Sequence, residues 1–382
     1  LHDALPIYSG SSATDRITKD TTPTFSGNAE AGTIVTLNIN NKSYQTTAQS
    51  NGSWSVTATD VLADNSYSYT LDALDLAGNQ ATQLSGSITV DTNAPTPFTG
   101  GLDAASNSGS TADTITKDTT PTFTGTVEAD STVVLIINNQ NYPATVTGTS
   151  WTVTAPQLVD GAYDYILRAT DIAGNSVELN QSMVIDTQAP AITGSLSTIS
   201  DSGFSNSDKL TKVTTPKFNG TTEAGATVVL SIGNQSYTTT GDGNGNWSVD
   251  VANALSEGNQ PYTITATDLA GNSASINGSI TIDTTAPTPF SARLDATSDT
   301  GTSNSDKLTK QTLPKISGTG ENGAVVTVNI SGQAYETTVT GGVWSITLQT
   351  ALSDGDHTFT AIAQDAAGNL TSTLTDTFKV DT

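Results

Sequence analysis

Asp171-Ile172-Ala173-Gly174-Asn175 closes a run of alternating apolar residues, and the same pattern comes four times in the chain. The other copies are Asp75-Leu76-Ala77-Gly78-Asn79, Asp268-Leu269-Ala270-Gly271-Asn272 and Asp365-Ala366-Ala367-Gly368-Asn369. Their aspartates stand 96, 97 and 97 residues apart. A segment of that length can bury a core of its own, so the period marks domains rather than the turns of a solenoid. Four repeats follow: residues 1–91, 92–186, 187–283 and 284–382. Residues 1–7 match no later repeat and are expected to be a non-native start. The chain has no initiating Met and ends at a repeat boundary, Val380-Asp381-Thr382, so it reads as a piece of something longer.

Around each Gly-Asn turn the residues alternate with a period of two. Trp151, Val153 and Ala155 share one face of a segment, with Thr152 and Thr154 on the other. Tyr163, Tyr165, Leu167 and Ala169 alternate in the next segment, and Ile280 and Ile282 do so in the last segment of repeat 3. This is the signature of half-buried antiparallel strands. Seven such strands in each repeat, broken by a turn every eight to twelve residues, predict an all-β, two-sheet antiparallel sandwich. Thr, Ser, Asn and Gly are abundant, in keeping with strands and turns. The chain has no cysteine, so packing alone must hold each core and thiolate chemistry is excluded. Replacing a buried Trp151 by alanine is expected to cost its domain about 3–5 kcal/mol.

Charged residues make up only 13% of the chain, yet 37 acids face 13 bases and the net charge is -24. Nucleic acid and anionic lipid would be repelled. No stretch is long and apolar enough to span a membrane as a helix. No Ser–His–Asp set or phosphate loop recurs, so no enzyme activity is expected. The Gly-rich turns between strands are hairpins.

Several motifs together resemble the bacterial Ig-like repeats of giant calcium-binding surface adhesins of the type I secreted class. They are Asp-Thr-x-Ala-Pro at residues 91–95, 186–190 and 283–287, Ser-Gly loops followed by Asp, and Thr-Pro-Thr-Phe-x-Gly at residues 120–125. Glu-Ala-Gly at 223–225, Gly-x-Trp and Asp-x-Ala-Gly-Asn complete the set. The resemblance covers residues 8–382. It implies a tandem array of four Ig-like seven-stranded sandwiches, though without the cysteine pair usual in immunoglobulin domains. It further implies an extracellular stalk that contributes to cell adhesion and biofilm and is stiffened by Ca2+ within and between domains. Its partners would be calcium ions, neighbouring domains of the same chain, and a receptor reached through regions outside these residues. Four sandwiches in line, with strands of about ten to twelve residues at about 3.3 Å each, would span roughly 150 Å.

Strand direction gives a separate reason to expect calcium. Seven alternating strands place the turns holding Glu223 and Asp268 at one end of repeat 3, and the Asp201 and Asp208 loop with Asp283 at the other. Across joints this predicts three carboxylate sets: Asp91 with Glu128 and Asp171, Asp186 with Glu223 and Asp268, and Asp283 with Glu321 and Asp365. Gathered carboxylates repel without a counterion, and Ca2+ takes six to eight hard oxygen ligands in irregular geometry. Magnesium demands a stricter octahedron, and zinc lacks ligands in a chain whose only histidines are His2 and His357. Further candidate ligands are the loop pairs Asp201/Asp208 and Asp299/Asp306. In repeat 2, Asn107 takes the first place and Asp113 the second, with Asp103 as a possible substitute; in repeat 1, Tyr8 takes the first place. Asp242-Gly243-Asn244-Gly245-Asn246 mimics an EF-hand start but aligns with plain hairpin turns. Asp64, Asp160, Glu257 and Asp354 are expected to serve the turn before the sixth strand, and His357 to lie on the surface. The competing expectations are a glycan-binding array and the stalk of a secreted enzyme.

Overall fold

In the computed structural model, residues 2–7, 9, 10, 12, 14–110 and 112–382 are described. The chain divides into two compact units; the first holds repeats 1 and 2, and the second holds the bodies of repeats 3 and 4. Among the described residues every regular element is a β-strand.

Repeat 3 carries the common plan. One sheet orders its strands Ser195–Leu196, Lys217–Thr221, Asn246–Asp250. The other orders them Leu210–Thr211, Ser273–Ile282, Gly258–Thr267, Thr227–Ile232, Gln235–Thr240. Repeats 1 and 4 have the same three-plus-five arrangement, and in repeat 2 Thr145–Thr147 adds a fourth strand to the smaller sheet. The all-β, Ig-like sandwich read from the sequence is thus the fold. The structure adds one two-residue strand per repeat, such as Leu210–Thr211, which pairs in parallel with the end of Ser273–Ile282. Two residues show no alternation, so this strand leaves no periodic trace in the sequence.

Alternation sorts the side chains. In Gly258–Thr267, Tyr262, Ile264 and Ala266 are buried, and they join Phe218, Val228, Leu230, Trp247 and Ile280 in one core cluster. Each repeat has its own such cluster. Each Phe/Tyr pair meets obliquely: Phe123 and Tyr165 lie 4.7 Å apart at 60°, and Phe218 and Tyr262 lie 5.0 Å apart at 72°. Such geometry stabilises by about 0.5–1.5 kcal/mol beyond area burial. The glycine of Thr-Pro-x-Phe-x-Gly has a steric cause. A Cβ on Gly125 would stand 2.0 Å from the Thr99 carbonyl oxygen, so no other residue lets the first strand approach.

Burial also sets a chemical limit. Tyr165 is 2% exposed, and its hydroxyl donates to Gln181 Oε1 at 2.6 Å. Burial pushes its pKa up to about 12 from the ordinary 10.0. The folded state therefore holds the phenol's proton where the unfolded chain has lost it. This contribution is fully present below pH 10 and is lost as pH rises toward 12. Alkaline titration of repeat 2 should show a loss of about 2 kcal/mol across this window, absent in Tyr165→Phe.

The register fixes which turns share an end. Thr227 lies opposite Thr267, so the turns at 222–226 and 268–272 leave the sandwich together. Thr211 lies beside Ile282, which puts the 197–209 loop and Asp283 at the opposite end.

Candidate functional site

The 197–209 loop is a tight wrap. Ser200 and Asp201 both donate their N–H to the Ser197 carbonyl, which folds Asp201 inward. Asp201 Oδ2 accepts the Lys209 N–H at 3.0 Å, and Lys209 is held at φ +65°, a conformation that non-glycine residues rarely adopt. Asp201 Oδ1 is buried and has no hydrogen-bond partner among the described residues. Burial pushes the Asp201 carboxyl up; the neighbouring Asp208 charge adds to this, and the Lys209 N–H opposes it. Asp208 Oδ1 accepts the Leu210 N–H.

Repeat 4 has the same construction. Asp299 Oδ2 accepts the Lys307 N–H at 3.0 Å, Lys307 sits at φ +62°, and Asp299 Oδ1 is again buried without a partner. Asp306 Oδ1 accepts the Leu308 N–H. In repeat 2, Asn107 Oδ1 occupies the equivalent place and is also buried and unpartnered, while its Nδ2 donates to the Asp113 carbonyl at 2.7 Å. Asp103 faces elsewhere, accepting from Ala105 N–H and Thr124 Oγ1. Asp113 accepts the Ile115 N–H. Tyr8 lies outside the described residues. An orphaned buried oxygen costs about 1–3 kcal/mol. Three repeats pay it at one place, and for the two aspartates a hard cation is the fitting partner for a carboxylate oxygen beside a second carboxylate.

At the joint of repeats 3 and 4, Asp365 is filled by its own turn: Oδ1 accepts Asn369 N–H at 2.8 Å and Oδ2 accepts Asn369 Nδ2 at 3.0 Å. Asn369 Nδ2 also reaches the Asp283 carbonyl at 2.8 Å. Asp283 Oδ1 accepts Thr285 N–H, and Glu321 Oε2 accepts Thr288 N–H. At the joint of repeats 1 and 2 the bonds are the same: Asp171 to Asn175, Asn175 Nδ2 to the Asp91 carbonyl, Asp91 to Asn93 N–H, and Glu128 to Thr96 N–H. Asp186 accepts Gln188 N–H, and Asp268 accepts Asn272 N–H. Among the described residues no three His, Asp or Glu side chains form a group that could hold a metal ion. The joint carboxylates each accept an amide donor, and among the described acids Asp201 and Asp299 are the ones with a buried oxygen that has no hydrogen-bond partner.

Two readings of the sequence are corrected here. Asp64, Asp160, Glu257 and Asp354 do not merely serve their own turn. Asp160 accepts Thr187 N–H, Thr187 Oγ1 and Gln188 Nε2, which pins the linker. Asp64 does the same for Thr92 and Asn93, Glu257 for the Thr284 and Thr285 hydroxyls, and Asp354 for Thr382. The Thr187 hydroxyl and Gln188 lower the Asp160 pKa, and Thr285 and Thr284 lower that of Glu257. His357 is half-buried, and its Nε2 lies 2.7 Å from the Ser353 carbonyl four residues back. Tyr67, Tyr163 and Gln260 make the matching bond to Ala63, Val159 and Ser256. This is the corner seen at the start of strand F in immunoglobulin sandwiches. Asp242 accepts from Asn244 and Asn246 N–H, the bonds of a simple turn, and these lower its pKa.

The geometry defines a tandem array of Ig-like sandwiches with polar, hydrogen-bonded joints. The family model described as "Bacterial Ig-like domain" matches residues 6–92, 94–187, 188–284 and 285–382, and the chain belongs to that family. Among solved structures, a Ca2+-stabilized adhesin that helps an Antarctic bacterium reach out and bind ice is 29% identical. The match covers 99% of this chain and 99% of that one, with a TM-score of 0.33. A tetra-tandem repeat from the extending region of a large adhesion protein is 24% identical, with 99% of each chain covered and a TM-score of 0.31. A 1.5-MDa bacterial ice-binding adhesin is 24% identical over 75% of this chain and 98% of that one, with a TM-score of 0.32. Among curated proteins, none matches the chain. Among the described residues no helix is long and apolar enough to cross a membrane.

Proposed function

We propose that the chain is a spacer: part of the extension region of a bacterial surface adhesin, exported from the cell and carrying load between the cell and a receptor bound elsewhere. Adhesion and biofilm formation would be its biological setting, with no catalysis of its own. The observation that carries this reading is that each repeat has a separate core while the linkers are pinned by side-chain carboxylates. Reach and calcium stabilisation are named for the 29% identical adhesin, and we extend both to this chain.

The proposed calcium ligands are Asp201 with Asp208 and Asp299 with Asp306, where a buried carboxylate oxygen lacks a donor. Asp113 beside Asn107 is the weaker counterpart in repeat 2. The joint carboxylates Asp91, Glu128 and Asp171, and likewise Asp283, Glu321 and Asp365, would have to exchange amide donors for the ion. Bound calcium supplies positive charge that offsets the acids and, by binding only the folded form, adds stability.

Single-molecule stretching of the whole chain tests the reading. We expect four unfolding events of similar length, at forces that rise when calcium replaces chelator. Unfolding forces indifferent to calcium would remove the calcium part, and fewer than four events would remove the spacer of independent repeats. Specific capture on a glycan array would favour an adhesive array instead.

A further inference from the structure

The joint of repeats 3 and 4 contains contacts that use no carboxylate side chain. Ser202 Oγ donates to the Ala367 carbonyl at 2.6 Å, and Lys212 Nζ donates to the Gly368 carbonyl at 2.6 Å. The Phe204 N–H points to the Ala366 carbonyl at 3.4 Å. Gly203 lies so close that a Cβ there would stand 1.8 Å from the Ala366 carbonyl oxygen. From the other side, Asn369 Nδ2 donates to the Asp283 carbonyl. Ala367 is fully buried.

The joint of repeats 1 and 2 is built alike. Ser9 Oγ donates to the Ala173 carbonyl at 3.1 Å, Lys19 Nζ to the Gly174 carbonyl at 2.6 Å, and Asn175 Nδ2 to the Asp91 carbonyl at 2.8 Å. A Cβ on Gly10 would stand 1.9 Å from the Ile172 carbonyl oxygen. Ala173 is fully buried, whereas the matching Ala77 of repeat 1, with no such loop against it, is exposed.

The gripping side chains are themselves placed by their own repeat. The Lys212 N–H donates to Ser202 Oγ at 2.9 Å, and the Lys19 N–H donates to Ser9 Oγ at 2.8 Å. The hydroxyl and the ammonium therefore form one preset pair. Repeats 2 and 4 hold the same pair, Ser108 with Lys117 and Thr300 with Lys310.

From these observations we infer a cation-independent latch: Ser202, Gly203 and Lys212 grip the backbone of the next repeat's Ala-Gly turn and set the angle of the joint without calcium. Every acceptor is a carbonyl oxygen of a turn whose last residues present their C=O groups outward, a surface that attracts an ammonium. The neighbour is recognised by its turn conformation, with Ala367 small enough to be covered. Calcium then strengthens a joint that already has its geometry. The inference does not depend on the calcium sites.

The test measures joint flexibility in chelator. The chain has no cysteine, so spin labels on Ser236→Cys and Gln333→Cys report the distance across this joint alone. In EDTA we expect the otherwise native chain to give a narrow distance distribution. Gly203→Ala, and separately Ser202→Ala with Lys212→Met, should broaden it about twofold or more, since free motion is the default for domains without a fitted interface. Gly301→Ala is the control. Gly301 has φ +121° beside +100° for Gly203, so the substitution strains the corresponding loop of repeat 4, but nothing lies within 4 Å of its Cβ position. It should leave the distribution narrow. The Ser202/Lys212 variant keeps the loop backbone and decides the matter if Gly203→Ala unfolds repeat 3. A native distribution in EDTA as broad as the variants', narrowing only with calcium, would overturn the latch. So would equal broadening by Gly301→Ala.

Discussion

Trp151→Ala is expected to lower the stability of repeat 2 by about 3–5 kcal/mol. The indole is 2% exposed and lies among Phe123, Leu135, Tyr165 and Leu167 in the core. Its Nε1 donates to the Thr99 carbonyl at 3.1 Å, and its Cζ2 stands 2.1 Å from where a Cβ on Gly100 would be. The ring is thus the floor on which the first strand lies. Truncation opens a cavity, strips that strand of its support and leaves the Thr99 carbonyl without its donor. Calorimetry of the whole chain should show one transition falling by about 12 °C or more while those of the other repeats hold. A shift of a degree or two would mean that the first strand does not depend on the ring. The tryptophans also offer an internal contrast. Trp247 and Trp344 donate to Thr193 and Ser291, but Trp54 Nε1 is buried with no partner among the described residues. Both Trp54→Phe and Trp151→Phe give up the same ring volume, so Trp151→Phe should cost about 1 kcal/mol more than Trp54→Phe, the worth of the hydrogen bond. Strand His2–Pro6, drawn from the residues expected to be non-native, occupies the place of Thr99–Leu102 in repeat 1.

Much of this fold could be read from the sequence because its determinants are local and periodic. The Trp151, Val153, Ala155 alternation is one strand's buried face, and the Gly-Asn turn is one hairpin. Strand count then determines which turns share an end. What escaped was carried by single bonds between residues far apart in the chain. Asp160 and Thr187 are 27 residues apart, and no pattern within either segment announces their pairing. Lys212 meets a carbonyl 156 residues away. A signal for the lysines was nonetheless present: Thr-Lys recurs at 18–19, 116–117, 211–212 and 309–310, always after the Ser-Gly or Thr-Gly loop. Exposed lysines near strand ends are ordinarily solvated, so the recurrence rather than the residue type was informative. His357 escaped because Tyr, Gln and His differ in chemistry yet place a donor at the same point.

The acid loops give the second large effect, and its sign depends on the cation. With no ion present, Asp201 carries a carboxyl pushed above its ordinary value of 3.8, chiefly by burial. A raised acid is protonated more readily in the folded state. Its contribution is fully present below 3.8 and is lost as pH rises through the higher folded value. At neutral pH in chelator the ionised group is a liability, with Oδ1 unsatisfied and Asp208 beside it. Asp201→Asn removes the charge and keeps an oxygen for the Lys209 N–H, and repeat 2 already carries an uncharged side chain, Asn107, at this place. In chelator at pH 7 the variant should therefore equal or exceed the native stability of repeat 3, and its acid-side slope should flatten. Calcium reverses the order. The ion engages the ionised carboxylate, so native repeat 3 gains about 2.7 kcal/mol at a hundredfold excess over the dissociation constant, and stability now rises with pH through the same window. The variant should forgo most of that gain, and Asp208→Asn should do the same by removing the second carboxylate. Denaturant unfolding at pH 4, 5.5 and 7, with and without calcium, reads all four corners. If Asp201→Asn lowers stability equally in both conditions, the aspartate serves the Lys209 bond alone and the loop is no calcium site. A crossing of the two curves can come only from a charge that costs stability when bare and contributes it when neutralised.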